Sequence, residues 1–382
     1  MRLLFVADGR SPIALNWMRY FVESGHEVHL ASTFSCQPEL ELASLHVTPV
    51  AFSGARDGVQ QGNAGIRNLI PTGLRTRIRQ WLGPMTLPGA AETLQAVFDD
   101  VQPELVHAMR IPYEGMLAAT ANPKAPLLIS VWGNDFTLHA RSTPWMRQAT
   151  RRALNRADAL HSDTERDLLL ASDWGFESTK PGIVLPGAGG IQLDIFYPPD
   201  KSPGPTIINP RGLRAYVRND TFFKAIPLVL KQVPEARFVC PTMQGEPEAE
   251  NLVMALGIGD AVEMLPKVSR AEMAELFRGA RVAVSPSEHD GTPNTLLEGM
   301  ACGCFPVAGD IASLREWIKD GDNGLLVDPG DPQALAATIV RGLQDDALRQ
   351  VAQTKNLALV RERAEYGAVM HKAEEFYKHL LA

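Results

Sequence analysis

The chain has 382 residues, 45% of them hydrophobic and 21% charged, which is enough for two ordinary domains that each bury a core. A formal net charge of -7 argues against a nucleic-acid binder, whose footprint is a basic domain. Four cysteines (Cys36, Cys240, Cys302, Cys304) fit neither a redox CxxC pair nor a zinc knuckle and suit a reducing, cytoplasmic setting, and no apolar run has the length of a membrane span.

In chain order, RLLFVA (Arg2 to Ala7) reads as a first strand, with Asp8 arriving too early for a signal peptide. The loop DGRSP leads into a helical segment, IALNWMRYFVESG, and then the strand EVHLAS (Glu27 to Ser32). Further strands are expected at LVHAMR, PLLISVWG, ADALHSD and GIVLPG, separated by helices near 90–100, 112–122, 144–156 and 164–174. This alternation predicts one parallel sheet covered on both faces, with its chemistry at the carboxyl ends of the strands. YPPDKSPGP, from Tyr197 to Pro205, can hold neither helix nor central strand and reads as a linker. The alternation then restarts with TIINPRG, ARFVCP, AVEMLP, RVAVSPS, CFPVAG and NGLLVD as strands. Helices are expected at about 219–233, 247–256 and 270–279, after the cap Asp331, and from Ala364 to Leu381. Two doubly wound α/β domains facing a central cleft follow.

SPSEHDGTPNTLLEGMACGCFP, from Ser285 to Pro306, sets Asp290 and Glu298 eight residues apart across a turn and a helix start near Pro293. Strand, glycine-bearing turn and helix present free N–H groups and a positive dipole end to an anion. Glu298 falls just over one turn into that helix, within reach of a ligand's hydroxyl groups. Asp320-Gly321-Asp322 reads as a turn before NGLLVD rather than as a metal site, and Cys302 and Cys304 as small core residues.

These blocks, together with GDIASLREWIKDGDNGLLVDPGDPQALA, LPGAGGIQLDIFYPP and AVEMLPKVSRAEMAELFRGARVAVSPS, resemble the retaining glycosyltransferases of the GT-B fold, family 4. The resemblance covers nearly all of the second half. It implies an acceptor-binding Rossmann-like domain at 1–196, a linker at 197–205, a nucleotide-sugar donor domain at 206–360, and a C-terminal helix at 361–382 packing back toward the first domain. It further implies a UDP- or GDP-type donor, a hydroxyl acceptor (a glycan, a lipid-linked acceptor or a small molecule), and no cofactor or metal. Glu298 would bind ribose hydroxyls, and Asp290, in place of the more usual Glu, hydroxyls of the transferred sugar. Gly291, Thr292, Pro293, Asn294 and Thr295 would line the sugar and diphosphate, and the backbone at Lys267 and Val268 the base. Arg211 and Arg218 would meet the diphosphate, supplying the charge its departure needs.

In the first half, Gly9, Arg10 and Ser11 stand where the family has a glycine-bearing loop. Trp132, in VWGND, takes a place where many relatives carry histidine, leaving Asp135 and Trp132 as the local substitutes. His107 ends a strand and reads either as a cleft-facing group or as a packed one. The acid-free segment 66–85 alternates Arg67, Arg75, Arg77 and Arg79 with Leu69, Ile70, Leu74, Ile78, Trp81 and Leu82. It suits either a membrane-touching element or an arginine-rich face near the acceptor. The alternatives to transfer are a GT-B epimerase or phosphorylase, and a non-catalytic two-lobed sugar-binding protein.

Overall fold

The computed structural model describes residues 1–51, 53 and 78–382. By internal contact the chain divides into two compact units, Met1–Gly189 with Val369–Ala382, and Gly190–Ala368. The stretch 197–205 falls inside the span of the second unit, where the Arg281 guanidinium donates to the Pro203 carbonyl at 2.7 and 3.1 Å. Among the described residues no helix is long and apolar enough to cross a membrane.

The first unit is built on a seven-stranded parallel sheet: β1 (Arg2–Ala7), β2 (Glu27–Ser32), β3 (Ser44–Val47), β4 (Leu105–Ala108), β5 (Leu127–Val131), β6 (Ala159–Ser162) and β7 (Gly182–Val184). Their spatial order is β3-β2-β1-β4-β5-β6-β7. Leu3 pairs with Val28 on one side and Leu105 on the other. The central strands are buried and mainly apolar because helices cover both faces, with His107, Ser130 and His161 among the buried polar exceptions. β3 was not anticipated: it is a four-residue edge strand whose Leu45 and Val47 point outward.

The second unit repeats the pattern with β8 (Thr206–Ile208), β9 (Arg237–Cys240), β10 (Val262–Met264), β11 (Val282–Ser285), β12 (Phe305–Gly309) and β13 (Leu325–Val327), in the order β10-β9-β8-β11-β12-β13. In each sheet the order reverses once, between β1 and β4 and between β8 and β11. A doubly wound sheet binds its ligands in the crevice at that point, beyond the carboxyl ends of the strands.

Capping follows the sequence closely. Ser11 accepts from the Ala14 N–H ahead of helix Pro12–Glu23, and Asp331 accepts from Gln333 and Ala334 at 2.9 and 3.0 Å ahead of Pro332–Gln344. An unanticipated helix, Asp346–Arg363, precedes the last one, Tyr366–Leu381. In the first unit Tyr377 is 1% exposed, stacks on Phe21 at 4.7 Å, and accepts a hydrogen bond from Trp17 Nε1 at 2.9 Å.

Candidate active site

In the second unit the loop leaving β8 is fixed by two buried asparagines. Asn209 accepts from the Arg211 N–H at 3.2 Å and donates to Asn219, which in turn donates to the Gly212 carbonyl. Gly212 lies at φ +63, where any Cβ would stand 2.7 Å from Thr242 Oγ1. Arg211 is thereby aimed across the switch point, and it is 8% exposed. Its Nη2 donates to Asp290 Oδ2 at 2.5 Å and its Nη1 to Thr295 Oγ1 at 3.2 Å. Asp290 Oδ1 accepts from the Gly291 N–H at 3.2 Å. The turn itself is pinned from the next loop, with Ser313 donating to the Asp290 carbonyl at 2.7 Å and Trp317 to Thr292 Oγ1 at 2.8 Å.

Arg218 lies elsewhere in the charge pattern. It grips Asp220 in two-pronged fashion at 2.9 and 3.1 Å and reaches Glu288 at 2.7 Å. Those bonds hold the Asp220 carboxyl down to about 2 and push the guanidinium further up. Residues 216–218 are laced to the segment after β11, since the Arg218 N–H donates to Pro286, Glu288 donates to Tyr216, and Val217 bridges Ser287. Gly309, at the end of β12, is required here, because a Cβ would stand 2.3 Å from the Ser287 carbonyl oxygen.

Helix Asn294–Ala301 starts at Pro293, which has extended ψ and no side chain able to cap. Around that start, among the described residues, four buried polar atoms have no hydrogen-bond partner: Arg211 Nε, Ser285 Oγ, Ser287 Oγ and Asn294 Oδ1. Native interiors satisfy nearly all such groups, so a cluster of them marks a place built for a polar ligand. Glu298 is half-buried on the second turn. Burial pushes its carboxyl up to about 7, partly opposed by the charge of Arg270. Lys267 is exposed and Val268 half-buried in the loop after β10, two strands from β8. Asp320 accepts from the Leu326 N–H, Gly321 adopts φ +72 and Asp322 pairs with Lys355, which makes that triplet a turn.

In the first unit a cavity of about 300 Å³ opens at the β1/β4 switch point. Asp8, Phe34, Arg79, Arg110, Trp132 and His139 are among its lining residues. Arg10 is clasped by Asp8 at 2.8 and 2.9 Å and lies 3.6 Å over the Phe34 ring. Gly9 packs its backbone on Ser32 and Cys36, and Ser11, which lines the cavity, is spent capping the helix.

Asp135 is 1% exposed and accepts from Arg110 Nε at 2.9 Å, the Trp132 N–H at 3.1 Å and the Ile111 N–H at 3.3 Å. It positions Arg110 and the Trp132 loop, and its carboxylate faces these donors rather than the cavity. His107 belongs to the core, at 1% exposure: its Nε2 meets Ser130 at 2.7 Å and its Nδ1 meets Tyr377 at 2.5 Å, so the packed reading of this residue is the one realised. Burial drives its pKa well below the usual value. Arg110, Glu114 and His139 were not singled out by sequence. Burial and the charges of Arg110 and Arg79 push His139 down to about 3, keeping it neutral. Of the arginine-rich segment 66–85, residues 66–77 lie outside the described residues.

With this geometry in place, the relatives are informative. Residues 206–345 match the family described as Glycosyl transferases group 1, and residues 2–164 the family described as Glycosyl transferase 4-like. A D-inositol 3-phosphate glycosyltransferase of Thermomonospora curvata is 35% identical over 122 residues, covering 32% of this chain and 26% of the relative. The chain spans half or less of the length of the curated relatives it matches. Among solved structures, sucrose-phosphate synthase from Thermosynechococcus elongatus aligns with a TM-score of 0.78 at 17% identity, covering 100% of this chain and 99% of the other. Anabaena HepE in complex with UDP and glucose aligns at 0.74 and 14%, covering 99% of this chain and 100% of the other. The chain thus has the GT-B fold, with its first part similar to glycosyl transferase 4-like domains and its second to glycosyl transferases group 1 domains.

Proposed function

We propose that the protein is a retaining glycosyltransferase that moves a hexose-type sugar from a nucleoside diphosphate donor to a hydroxyl acceptor without a metal ion. The observation that carries this reading is the cluster at the β8/β11 switch point: Arg211 held by Asp290 and Thr295 beside an uncapped helix start and four unpartnered buried polar atoms. Departure of a diphosphate needs donors and positive charge aimed at the developing anion, and Arg211 with the first N–H groups of helix Asn294–Ala301 supplies both. Arg218 adds charge on exchanging one of its two carboxylates for a phosphate oxygen. Glu298 accepts from ribose hydroxyls, Asp290 and the 291–295 backbone meet the sugar, and the loop at Lys267 and Val268 meets the base. UDP is the first nucleoside diphosphate to test, as HepE binds it.

The acceptor hydroxyl enters through the first-unit cavity beside Trp132, with the Gly9 to Ser11 loop at its edge. In the transfer, the acceptor oxygen bonds to the anomeric carbon on the face from which the phosphate leaves. The bond from that carbon to the phosphate oxygen breaks, and the hydroxyl proton passes to the leaving phosphate. Four free cysteines support a reducing, cytoplasmic setting. The test is incubation with a panel of nucleotide sugars, following nucleoside diphosphate release and, by NMR, the anomer of the product. Release with retention is expected. Release with inversion would reject the retaining chemistry, and neither release nor binding would reject the reading altogether.

A further inference from the structure

We propose that the first unit carries a docking surface for an anionic lipid bilayer, formed by Ile78, Trp81, Leu82 and Met85 together with Trp145 and the arginines around it. Five of the large apolar side chains exposed among the described residues converge here: Ile78 at 43%, Trp81 at 52%, Leu82 at 46%, Met85 at 68% and Trp145 at 53%. Met85 and Trp145 line one shallow cavity of about 220 Å³ with Arg152. The two segments are tied to each other and to the core, so the patch is built rather than frayed. Thr143 donates to the Gln80 carbonyl at 3.1 Å, Tyr113 to the Arg79 carbonyl at 2.7 Å, and Thr86 to the Gly83 carbonyl at 2.7 Å. Helix Pro144–Arg156 already has a buried face in Met146, Thr150, Ala153 and Leu154, each at most 1% exposed. Trp145 stands outside that face, where a folded chain gains nothing by placing it.

Charge identifies the occupant. No Asp or Glu occurs between Asp57 and Glu92, nor between Asp135 and Asp158. Arg141, Arg147, Arg151 and Arg152 are exposed, and among the described residues none has a carboxylate partner. Indole and aliphatic groups ringed by unpaired arginines match the boundary between acyl chains and phosphate headgroups. A second copy fits worse, since a two-fold contact would bring these arginines against themselves. The cores of protein interfaces are moreover depleted in charge. With a net charge of -7 the molecule as a whole is repelled by an anionic surface, so this patch would set the orientation of approach. The inference stands apart from the transfer chemistry, and its test needs no substrate.

The test is co-sedimentation with vesicles of equal parts phosphatidylglycerol and phosphatidylcholine, against phosphatidylcholine alone. The protein should bind the anionic vesicles, weaken as salt rises, and bind the neutral ones poorly. Changing Arg147, Arg151 and Arg152 to Gln should lower partitioning by about five-fold per arginine. A Trp81→Ser, Met85→Ser, Trp145→Ser variant should lower it about ten-fold or more. Equal binding to both vesicle types, or variants that sediment like the parent, would overturn the proposal. So would light scattering that shows a dimer of the parent protein and a monomer of the Trp/Met variant.

Discussion

Glu298 and Arg211 carry opposite demands, and each yields a measurable consequence. The folded-state pKa of Glu298 is raised from 4.5 to about 7, so between those values the folded chain holds a proton that the unfolded chain has released. Stability contributed by this group is therefore full below about pH 4.5 and is lost as pH rises toward 7. Glu298→Gln should stabilise the ligand-free protein by on the order of 1–2 kcal/mol at pH 8 and hardly at all at pH 4, as read by chemical denaturation. A ligand whose hydroxyls donate to the carboxylate selects the ionised form. Nucleotide-sugar affinity should accordingly rise with pH up to about 7 and then level, and Glu298→Gln should flatten that profile. Arg211→Gln removes a charged fork from the site, and calorimetry should show nucleoside diphosphate affinity falling about 10- to 100-fold. At this scale a motif drew attention to Arg211, Asp290 and Glu298, and the fold joins the first two by a hydrogen bond. It was silent on Ser313 and Trp317, which act through a turn 21 or more residues upstream and carry no spacing signature of their own.

Among the elements, the site depends on loops that approach without side chains between them. Gly309→Ala puts a methyl 2.3 Å from the Ser287 oxygen, so the segment bridging Val217 must move. The expected result is a lowered unfolding midpoint for the second unit together with weakened diphosphate binding, checked by a thermal melt with and without UDP. Strands and helices were legible wherever apolar content and caps agreed: β1 runs apolar from Leu3 to Ala7, β5 and β11 are apolar but for Ser130 and Ser285, and Asp331 announces its helix. β3 has two apolar residues in an edge position, too little pattern to stand out. Helix Asp346–Arg363 spreads charged and polar residues around its circumference and buries three, so its period is faint. Ionic pairing was the least readable feature. The pairing of Arg218 with Asp220 and Glu288 was not foreseen, because a guanidinium takes the carboxylates that the folded loops bring to it.

At the scale of the whole chain, the last helix is welded into the first unit by a buried polar line that no local pattern discloses. Trp17 donates to Tyr377, Tyr377 meets His107, His107 meets Ser130, and Ser130 meets His161, which meets the Leu185 carbonyl. Tyr377→Phe strands the Trp17 N–H and one ring nitrogen of His107, and should cost about 1–3 kcal/mol in denaturant titration. Burial lowers the pKa of His107 and takes His161 to about 4, and burial with two nearby arginines takes His139 to about 3. Their neutral forms stabilise the fold above the ordinary value of 6.5, and that contribution is lost as pH falls toward 4. Taken alone the buried histidines weaken the fold on acidification below 6.5, while Glu298, Glu114, Asp135 and Asp167, whose carboxyls burial raises, act in the opposite sense. His161→Asn should therefore reduce the loss of stability between pH 6.5 and 4. The assignment of sugar transfer to the β8/β11 crevice is tested most directly by turnover. Nucleoside diphosphate release from the preferred donor should be abolished or cut at least about 100-fold in Arg211→Ala, Asp290→Ala and Glu298→Ala. Full activity in the variants would contradict it.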